Sequence, residues 1–169
     1  LQCALNRQHD ESGAYSEEHL YRLFHGVLDV SLPVNDDGGS YEYTMPLIKN
    51  TNHIRVILQH LSGEDVNMED FIFRIDDENG LMAHDNELMP DENINYRPWD
   101  VQNVEAGISK DDTGAITNVK GLVADFTVGR LIETHREQMI LAIDTKDGRK
   151  VARIPVMDYA LMGKEYYEK

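Results

Sequence analysis

The chain has 169 residues, and its 31 acidic side chains outnumber the 16 basic ones, which gives a formal charge of −15 at pH 7. This length suits one domain, or one domain with a piece of a neighbour. The negative charge repels phosphate backbones and anionic lipid headgroups, so it argues against nucleic acid as a partner and against direct electrostatic attraction to a membrane. Apolar residues make up 41% of the chain in short runs. None approaches the ~18 residues that a membrane-spanning helix needs.

The chain opens on Leu1-Gln2-Cys3-Ala4, which contains its only cysteine. A single cysteine forms neither an internal disulfide nor a cysteine-based zinc site. The order invites comparison with a lipoprotein cleavage site, but no basic start or apolar run precedes Cys3, and Gln2 stands where a small residue is needed. We therefore expect Cys3 to be a small, buried residue at the end of a strand.

Residues Ser16–Phe24 have the pattern of a short helix. Ser16 suits the N-cap position, Glu17 and Glu18 suit the first turn, and an apolar stripe follows them. The period changes to two after Gly26, which places a domain boundary near this point.

Alternation of apolar and polar residues then predicts a series of strands. The predicted strands cover Val27–Leu32, Tyr41–Leu47, Ile54–Leu58, Phe71–Ile75, Ile116–Val128, Met139–Ile143 and Val151–Val156. Turns rich in Asp, Asn and Gly are predicted at Asn35–Gly39, Asp76–Gly80, Asp111–Gly114 and Lys146–Gly148. Residues Val101–Lys110 show no clear period. About seven or eight short strands with such turns are typical of an all-β sandwich.

The sequence contains none of the common catalytic signatures, such as a phosphate-binding loop, a nucleophile elbow or a zinc-protease motif. We therefore predict a protein that is not an enzyme, with no catalytic residue, metal or cofactor. His53 and His60 are seven residues apart, which puts them on opposite faces of a strand and argues against a shared metal. The acidic turns Asp76–Asn79 and Asp111–Asp112 are interpreted as solvated turns rather than calcium or glycosidase sites.

The most unusual local feature is Tyr96-Arg97-Pro98-Trp99, which combines two aromatic rings, a guanidinium and a rigid turn residue. Such a cluster can stack on a sugar or anchor a protein partner. The alternative is that Trp99, the only tryptophan, closes one end of the core. We take Tyr96, Arg97 and Trp99 as candidate partner-binding or sugar-binding residues, and exposure of the two rings decides between these interpretations.

Several segments also resemble FimB/Mfa-type fimbrial anchor proteins, a branch of the fimbrillin superfamily, over roughly residues 23–169. The resemblance depends on the order and spacing of short blocks rather than on any one of them. The blocks are Asn50–Val56 with Leu58; Asp70–Phe71 with Phe73 and Ile75 before Asn79–Gly80; Tyr96–Trp99; Val123–Phe126 with Arg130–Leu131; and Ile154–Val156 with Asp158–Tyr159 and Leu161.

The resemblance implies a lipoprotein of two transthyretin-like, Greek-key β-sandwich domains that sits in the outer membrane and anchors or terminates a fimbria (pilus). It implies that residues 1–24 are the end of a preceding domain plus a linker helix, and that residues 25–169 are the second sandwich. Leu1–Leu5 would be the last strand of the first domain, and a further strand is expected beyond Lys169.

The resemblance also implies fimbrial subunits as partners, through surface contact or strand exchange, and a role in fimbria attachment, assembly and cell adhesion. A sandwich that lacks a strand leaves a groove into which a neighbouring subunit can insert one. Contact with the outer membrane would depend on a lipid anchor that this chain does not contain. A surface polysaccharide-binding module is the competing interpretation.

Overall fold

The computed structural model describes residues 2–31, 39–60, 64–110, 113–114 and 116–167. Within these ranges the chain forms thirteen strands, one α-helix and two single turns of 3-10 helix at Met68–Asp70 and Glu133–His135. The strands are β1 (Gln2–Ala4), β2 (Gln8–Asp10), β3 (Gly13–Ser16), β4 (Phe24–His25), β5 (Ile48–Lys49), β6 (Asn52–Leu58), β7 (Phe71–Asp77), β8 (Leu81–Ala83), β9 (Ile94–Tyr96), β10 (Asp100–Lys110), β11 (Ile116–Val128), β12 (Ile140–Thr145) and β13 (Lys150–Pro155). The helix is α1 (Val156–Tyr167).

Two sheets form a sandwich, one of six strands in the order β13-β12-β7-β9-β3-β2 and one of three in the order β10-β11-β6. Strand pairs β1-β8 and β4-β5 lie outside these sheets. Only β3 and β9 pair in parallel among the described strands. The prediction of an all-β sandwich is therefore confirmed.

The core lies between the two sheets and consists of alternate residues on their facing strands. From β11 it takes Leu122, Ala124, Phe126 and Val128, all of which are fully buried. The six-stranded sheet contributes apolar residues of β7, β9 and β12. Burial of apolar surface of this kind is the main term that favours folding.

The strands predicted at Ile54–Leu58, Phe71–Ile75, Ile116–Val128 and Met139–Ile143 are present. The predicted turn at Lys146–Gly148 joins β12 to β13, with Gly148 at φ +88°. Residues Val101–Lys110, to which no structure was assigned, extend as β10 and pair with β11. The turn predicted at Asp111–Gly114 includes Asp111 and Asp112, which lie outside the described residues.

The predicted helix at Ser16–Phe24 is wrong. Ser16 is the last residue of β3, where it pairs with Tyr96 of β9, and the following residues cross the surface without regular structure. Pairing with the sheet outweighs the local helix signal, because a stripe of three apolar residues is too short to stabilise a helix. The division into residues 1–24 and 25–169 stays a prediction, although β2 and β3 pair into the main sheet.

The helix of this fold is instead α1, which starts directly after Pro155 and carries Asp158 in its first turn. Both features favour a helix start. The strand predicted as Val151–Val156 therefore ends one residue earlier, at Pro155.

Two further predictions are wrong in the segment between β4 and β5. No strand forms over residues 27–31 or 41–47, and only Phe24–His25 pairs with Ile48–Lys49. The strands were predicted because apolar and polar residues alternate there. In the described structure these side chains have no opposing sheet to pack against, and they stay exposed. The predicted turn that begins at Asn35 lies mostly outside the described residues.

Two smaller expectations also need correction. Cys3 lies in β1 as expected of a strand residue, but it is exposed rather than buried. The solvated turn expected at Asp76–Asn79 is also wrong, because Asp76 and Asp77 end β7 and both Asp77 and Asn79 are buried. The following strand, β8, leaves the sheet to pair with β1.

Candidate functional site

Tyr96 belongs to the core and not to the surface. Its ring is fully buried, and its hydroxyl donates a hydrogen bond to the side-chain oxygen of buried Asn79. Burial is the main reason that the pKa of Tyr96 is raised above its usual value. A ring in this position cannot stack on a sugar, so the platform of two exposed rings expected from Tyr96 and Trp99 is not formed.

Arg97 lies on the outer face of the six-stranded sheet, within a row of polar side chains. Its guanidinium stacks 3.9 Å from the centre of the Tyr15 ring and forms an ion pair with Asp10. Its Nε donates to Oδ1 of Asn95 at 3.2 Å. Hydrogen bonds from Ser12 and from Arg97 lower the pKa of Asp10 to about 2. Arg97 is therefore fixed in place and half-exposed.

A groove of about 660 Å³ begins beside Arg97. Strand β9 has only three residues and pairs with Ile75–Asp77 of β7, so residues 71–74 of β7 have no described strand on that side. Apolar side chains that include Met68, Phe71 and Val101 line the groove together with charged ones at its rim. Residues 71–74 therefore form a free strand edge beside an apolar groove, which is the geometry that strand addition uses.

Trp99 is half-buried at the turn where the chain crosses to the three-stranded sheet. Its backbone N–H donates to the carbonyl of Asp125 at 2.9 Å. The His19 ring lies 4.5 Å from the Trp99 ring, and His53 approaches His19 edge-on at 4.9 Å. The partner ring of Trp99 is thus His19 rather than Tyr96. Its indole Nε1 is buried without a hydrogen-bond partner in the described part of the chain.

A shallow pocket of about 480 Å³ lies next to these rings and is lined by His19, Leu20, Tyr21, Arg22 and His53. Sequence reasoning missed this site because it placed residues 16–24 in a helix. The run His19-Leu20-Tyr21-Arg22 was the available signal, since it places two aromatic rings next to an arginine in an acidic chain. His53 and His60 are both exposed.

Exposed apolar side chains are concentrated in one segment, which we call the apolar arm and define as residues 23–31 and 39–48. Large apolar residues of the arm are 38–59% exposed. They are Leu23, Phe24, Val27, Leu28, Val30, Tyr41, Tyr43, Met45, Leu47 and Ile48. The described arm contains only two charged side chains, Asp29 and Glu42. A large apolar patch with little charge is typical of a protein interaction surface.

One buried ionisable pair lies apart from these surfaces. His135 Nδ1 is 2.7 Å from Oδ1 of Asp77, whose side chain is fully buried. Burial raises the pKa of Asp77, and the hydrogen bond to His135 acts in the opposite direction. Oδ2 of Asp77 has no partner among the described residues. Asp77 is enclosed, whereas the His135 side chain is partly exposed, so the pair ties the surface turn at Glu133–His135 to the core.

Two kinds of functional element are absent from the described residues. They contain no group of three or more His, Cys, Asp or Glu side chains placed to hold a metal ion. None of their helices is both long and apolar enough to cross a membrane.

The fold defines an all-β sandwich protein that carries an exposed apolar arm and an open strand edge. The chain belongs to the family described as fimbrillin-A associated anchor proteins Mfa1 and Mfa2, whose model matches residues 1–169. This match confirms the resemblance found in the sequence. No curated protein matches the chain.

Several solved structures share the fold. A candidate adhesin from Bacteroides thetaiotaomicron is 35% identical with a TM-score of 0.65, over 74% of this chain and 41% of that one. A structure from the same species, described as candidate polysaccharide-binding proteins, is 25% identical with a TM-score of 0.59, over 86% and 46%. The fimbrial anchor protein Mfa2 from Porphyromonas gingivalis is 19% identical with a TM-score of 0.59, over 95% and 52%. The chain spans about half the length of these proteins.

Proposed function

We propose that this chain acts as part of a fimbrial anchor or minor subunit on a bacterial surface, in fimbria attachment, assembly and cell adhesion, without catalysis. The observation that carries the proposal is the family match along all 169 residues. The partners would be other fimbrial subunits, and the location would be the fimbrium at the outer membrane, held by a lipid anchor.

Two surfaces support a role in protein contact. The apolar arm presents ten large apolar side chains with only two charges, and burying them against a partner would be favourable. The free edge of β7 lies beside the groove that starts at Arg97. An extended segment of a subunit could pair with this edge, which would be strand exchange with the present chain as acceptor.

The test is a binding titration of the chain against major fimbrial subunits of Bacteroides and Porphyromonas species, followed by pull-down. Saturable binding of at least one subunit is expected. If no subunit binds at concentrations up to the roughly millimolar range of weak encounters, the anchor function is overturned.

Polysaccharide binding is the second candidate. It is favoured by the 25% identity to the structure described as candidate polysaccharide-binding proteins, together with the half-exposed Arg97 and Trp99. A glycan array with wild type, Arg97→Ala and Trp99→Ala tests it. Glycan binding that disappears in either variant, in a chain that binds no subunit, would replace the anchor function with a carbohydrate-binding one.

A further inference from the structure

The geometry points to a binding site for a carboxylated sugar, such as a uronic acid residue of an acidic polysaccharide, in the pocket formed by His19, Tyr21, Arg22 and His53. This inference deepens the carbohydrate candidate and rests on it. It does not depend on the anchor function.

The first observation is the unpaired charge of Arg22. Arg22 lines the pocket and forms no ion pair with any residue that the structure describes. Most other arginines do have such partners: Arg7, Arg55, Arg74, Arg97, Arg136 and Arg153 pair with carboxylates, and Arg130 donates to a carbonyl. In a chain of net charge −15, an arginine left without a carboxylate is available for a carboxylate of a ligand.

The second observation is the absence of competing acids. None of the described residues that line the pocket carries a carboxylate. Glu17 and Glu18 precede these residues along the chain, Glu18 accepts a hydrogen bond from Asn6, and Asp125 across the sheet is paired with Arg55. A carboxylate bound at Arg22 would therefore meet no other carboxylate among the described residues that line the pocket, which lowers the electrostatic cost of holding an anion there.

The third observation is an exposed aromatic ring beside that charge. Tyr21 is 91% exposed, the most exposed of the large apolar residues in the described chain. A flat ring with nothing stacked on it suits the apolar face of a pyranose, and its hydroxyl remains free to bond with water or sugar. An exposed aromatic next to an arginine is the pair of groups that binds a ring carrying a carboxylate.

The two histidines complete the recognition. The His19 imidazole offers one donor and one acceptor to sugar hydroxyls. His53 Nε2 lies 3.4 Å from the backbone carbonyl of Leu20, so this imidazole offers its Nδ1 as an acceptor. His19 is held against Trp99, with 4.5 Å between ring centres, and His53 is held edge-on against His19 at 4.9 Å. The pocket volume of about 480 Å³ falls within the range typical of small-ligand sites. The imidazoles are therefore preorganised beside a space that suits one or two sugar rings.

Trp99 provides the readout. It is the only tryptophan, so a ligand that contacts His19 should change the tryptophan fluorescence of the whole protein. The probes are oligogalacturonate and its fully methyl-esterified form, which share the sugar ring and differ in charge. Oligoglutamate serves as an acidic ligand without a sugar ring.

We expect oligogalacturonate to bind saturably with a change in Trp99 fluorescence, and the methyl ester to bind at least 10-fold more weakly. Arg22→Gln should lower the affinity for oligogalacturonate roughly 10- to 100-fold, the range for a charged hydrogen bond. Arg149→Gln at the β12-β13 turn should leave that affinity unchanged. Tyr21→Ala should lower the affinity about 3- to 10-fold, whereas Tyr159→Ala on α1, which is also exposed, should leave it unchanged.

Three outcomes would overturn the inference: no binding of oligogalacturonate, equal binding of the methyl ester, or equal loss in the Arg22 and Arg149 variants. Oligoglutamate that binds as tightly as oligogalacturonate would also overturn it, because the site would then be a general anion site. The same variants, titrated with fimbrial subunits, should bind as wild type does. Subunit binding therefore reports on the anchor function separately from the sugar site.

Discussion

Polar side chains buried between or beside the sheets impose the strictest requirements on single residues. Tyr96 and Asn79 are fully buried and hydrogen-bonded to each other. The side chain of Asp77 is also fully buried and is bonded to His135. A buried polar group stabilises the fold only while its partner is present. Substitutions at these positions therefore test the structure directly.

Tyr96→Phe removes a hydroxyl that donates to the side-chain oxygen of Asn79. Leaving this oxygen buried without that partner should lower the free energy of unfolding by about 1–3 kcal/mol. Tyr15→Phe is the matched control, since its hydroxyl bonds Gln8 in an exposed setting and its loss should cost less than about 0.5 kcal/mol. Denaturant unfolding of both variants measures the difference, and equal stabilities would contradict the assigned bonds.

Asp77→Asn tests the raised pKa of the buried carboxyl. A carboxyl whose pKa is higher in the folded than in the unfolded state stabilises the fold fully below its ordinary value of 3.8, and this contribution is lost as pH rises through the raised pKa. Asn is neutral throughout and can still accept the bond from His135. The melting temperature of the variant minus that of wild type should therefore rise as the pH is raised from about 4 to about 7. A difference that does not vary with pH would contradict the assignment.

At this scale the sequence predicted some properties of the candidate residues and missed others. It singled out Arg97 and Trp99, which are indeed partly exposed, but grouped them with Tyr96, whose alternate position on β9 turns it into the core. It missed Tyr21 and Arg22 because the residues around them were assigned to a helix, and so they were not considered as site residues. Whether a ring near a turn points inward depends on pairing between distant strands, which local pattern does not report.

The strands of the two sheets bury one face against each other, whereas the apolar arm has no opposing sheet. Strands β6, β7, β11 and β12 have faces that meet across the sandwich, so their alternation follows from burial and could be recognised in the sequence. The apolar arm alternates equally well but has no opposing face, and therefore forms no strand beyond β4 and β5. Helix α1 was missed because its start follows a strand without an intervening loop.

Helix α1 provides a prediction at this scale. Met157 is buried, whereas Met162 on the same helix is 65% exposed. Met157→Ala should therefore lower the free energy of unfolding by about 2–5 kcal/mol through the lost contacts and the cavity. Met162→Ala should change it by less than about 0.5 kcal/mol. Urea unfolding of the two variants tests the docking of α1, and equal losses would show that the helix does not pack as described.

The whole molecule combines a stable sandwich with two surfaces that a partner could cover. Its family is that of fimbrial anchor proteins, and the match to solved structures reaches about half of their length. The apolar arm contains ten of the large exposed apolar residues of the described chain. Its low charge would let an acidic subunit approach this acidic chain where repulsion is weakest.

The most direct test of the central claim is a titration of a major fimbrial subunit with wild type, Leu47→Lys and Ile57→Lys. Leu47 of the arm and Ile57 of β6 are similarly exposed, at 59% and 63%, so the two variants place the same charge at matched sites. We expect saturable binding by wild type and by Ile57→Lys, and binding at least 10-fold weaker by Leu47→Lys because a lysine there would be buried against apolar surface. If no variant binds any subunit, the anchor function is contradicted; if Leu47→Lys binds as well as Ile57→Lys, the arm is not the contact surface.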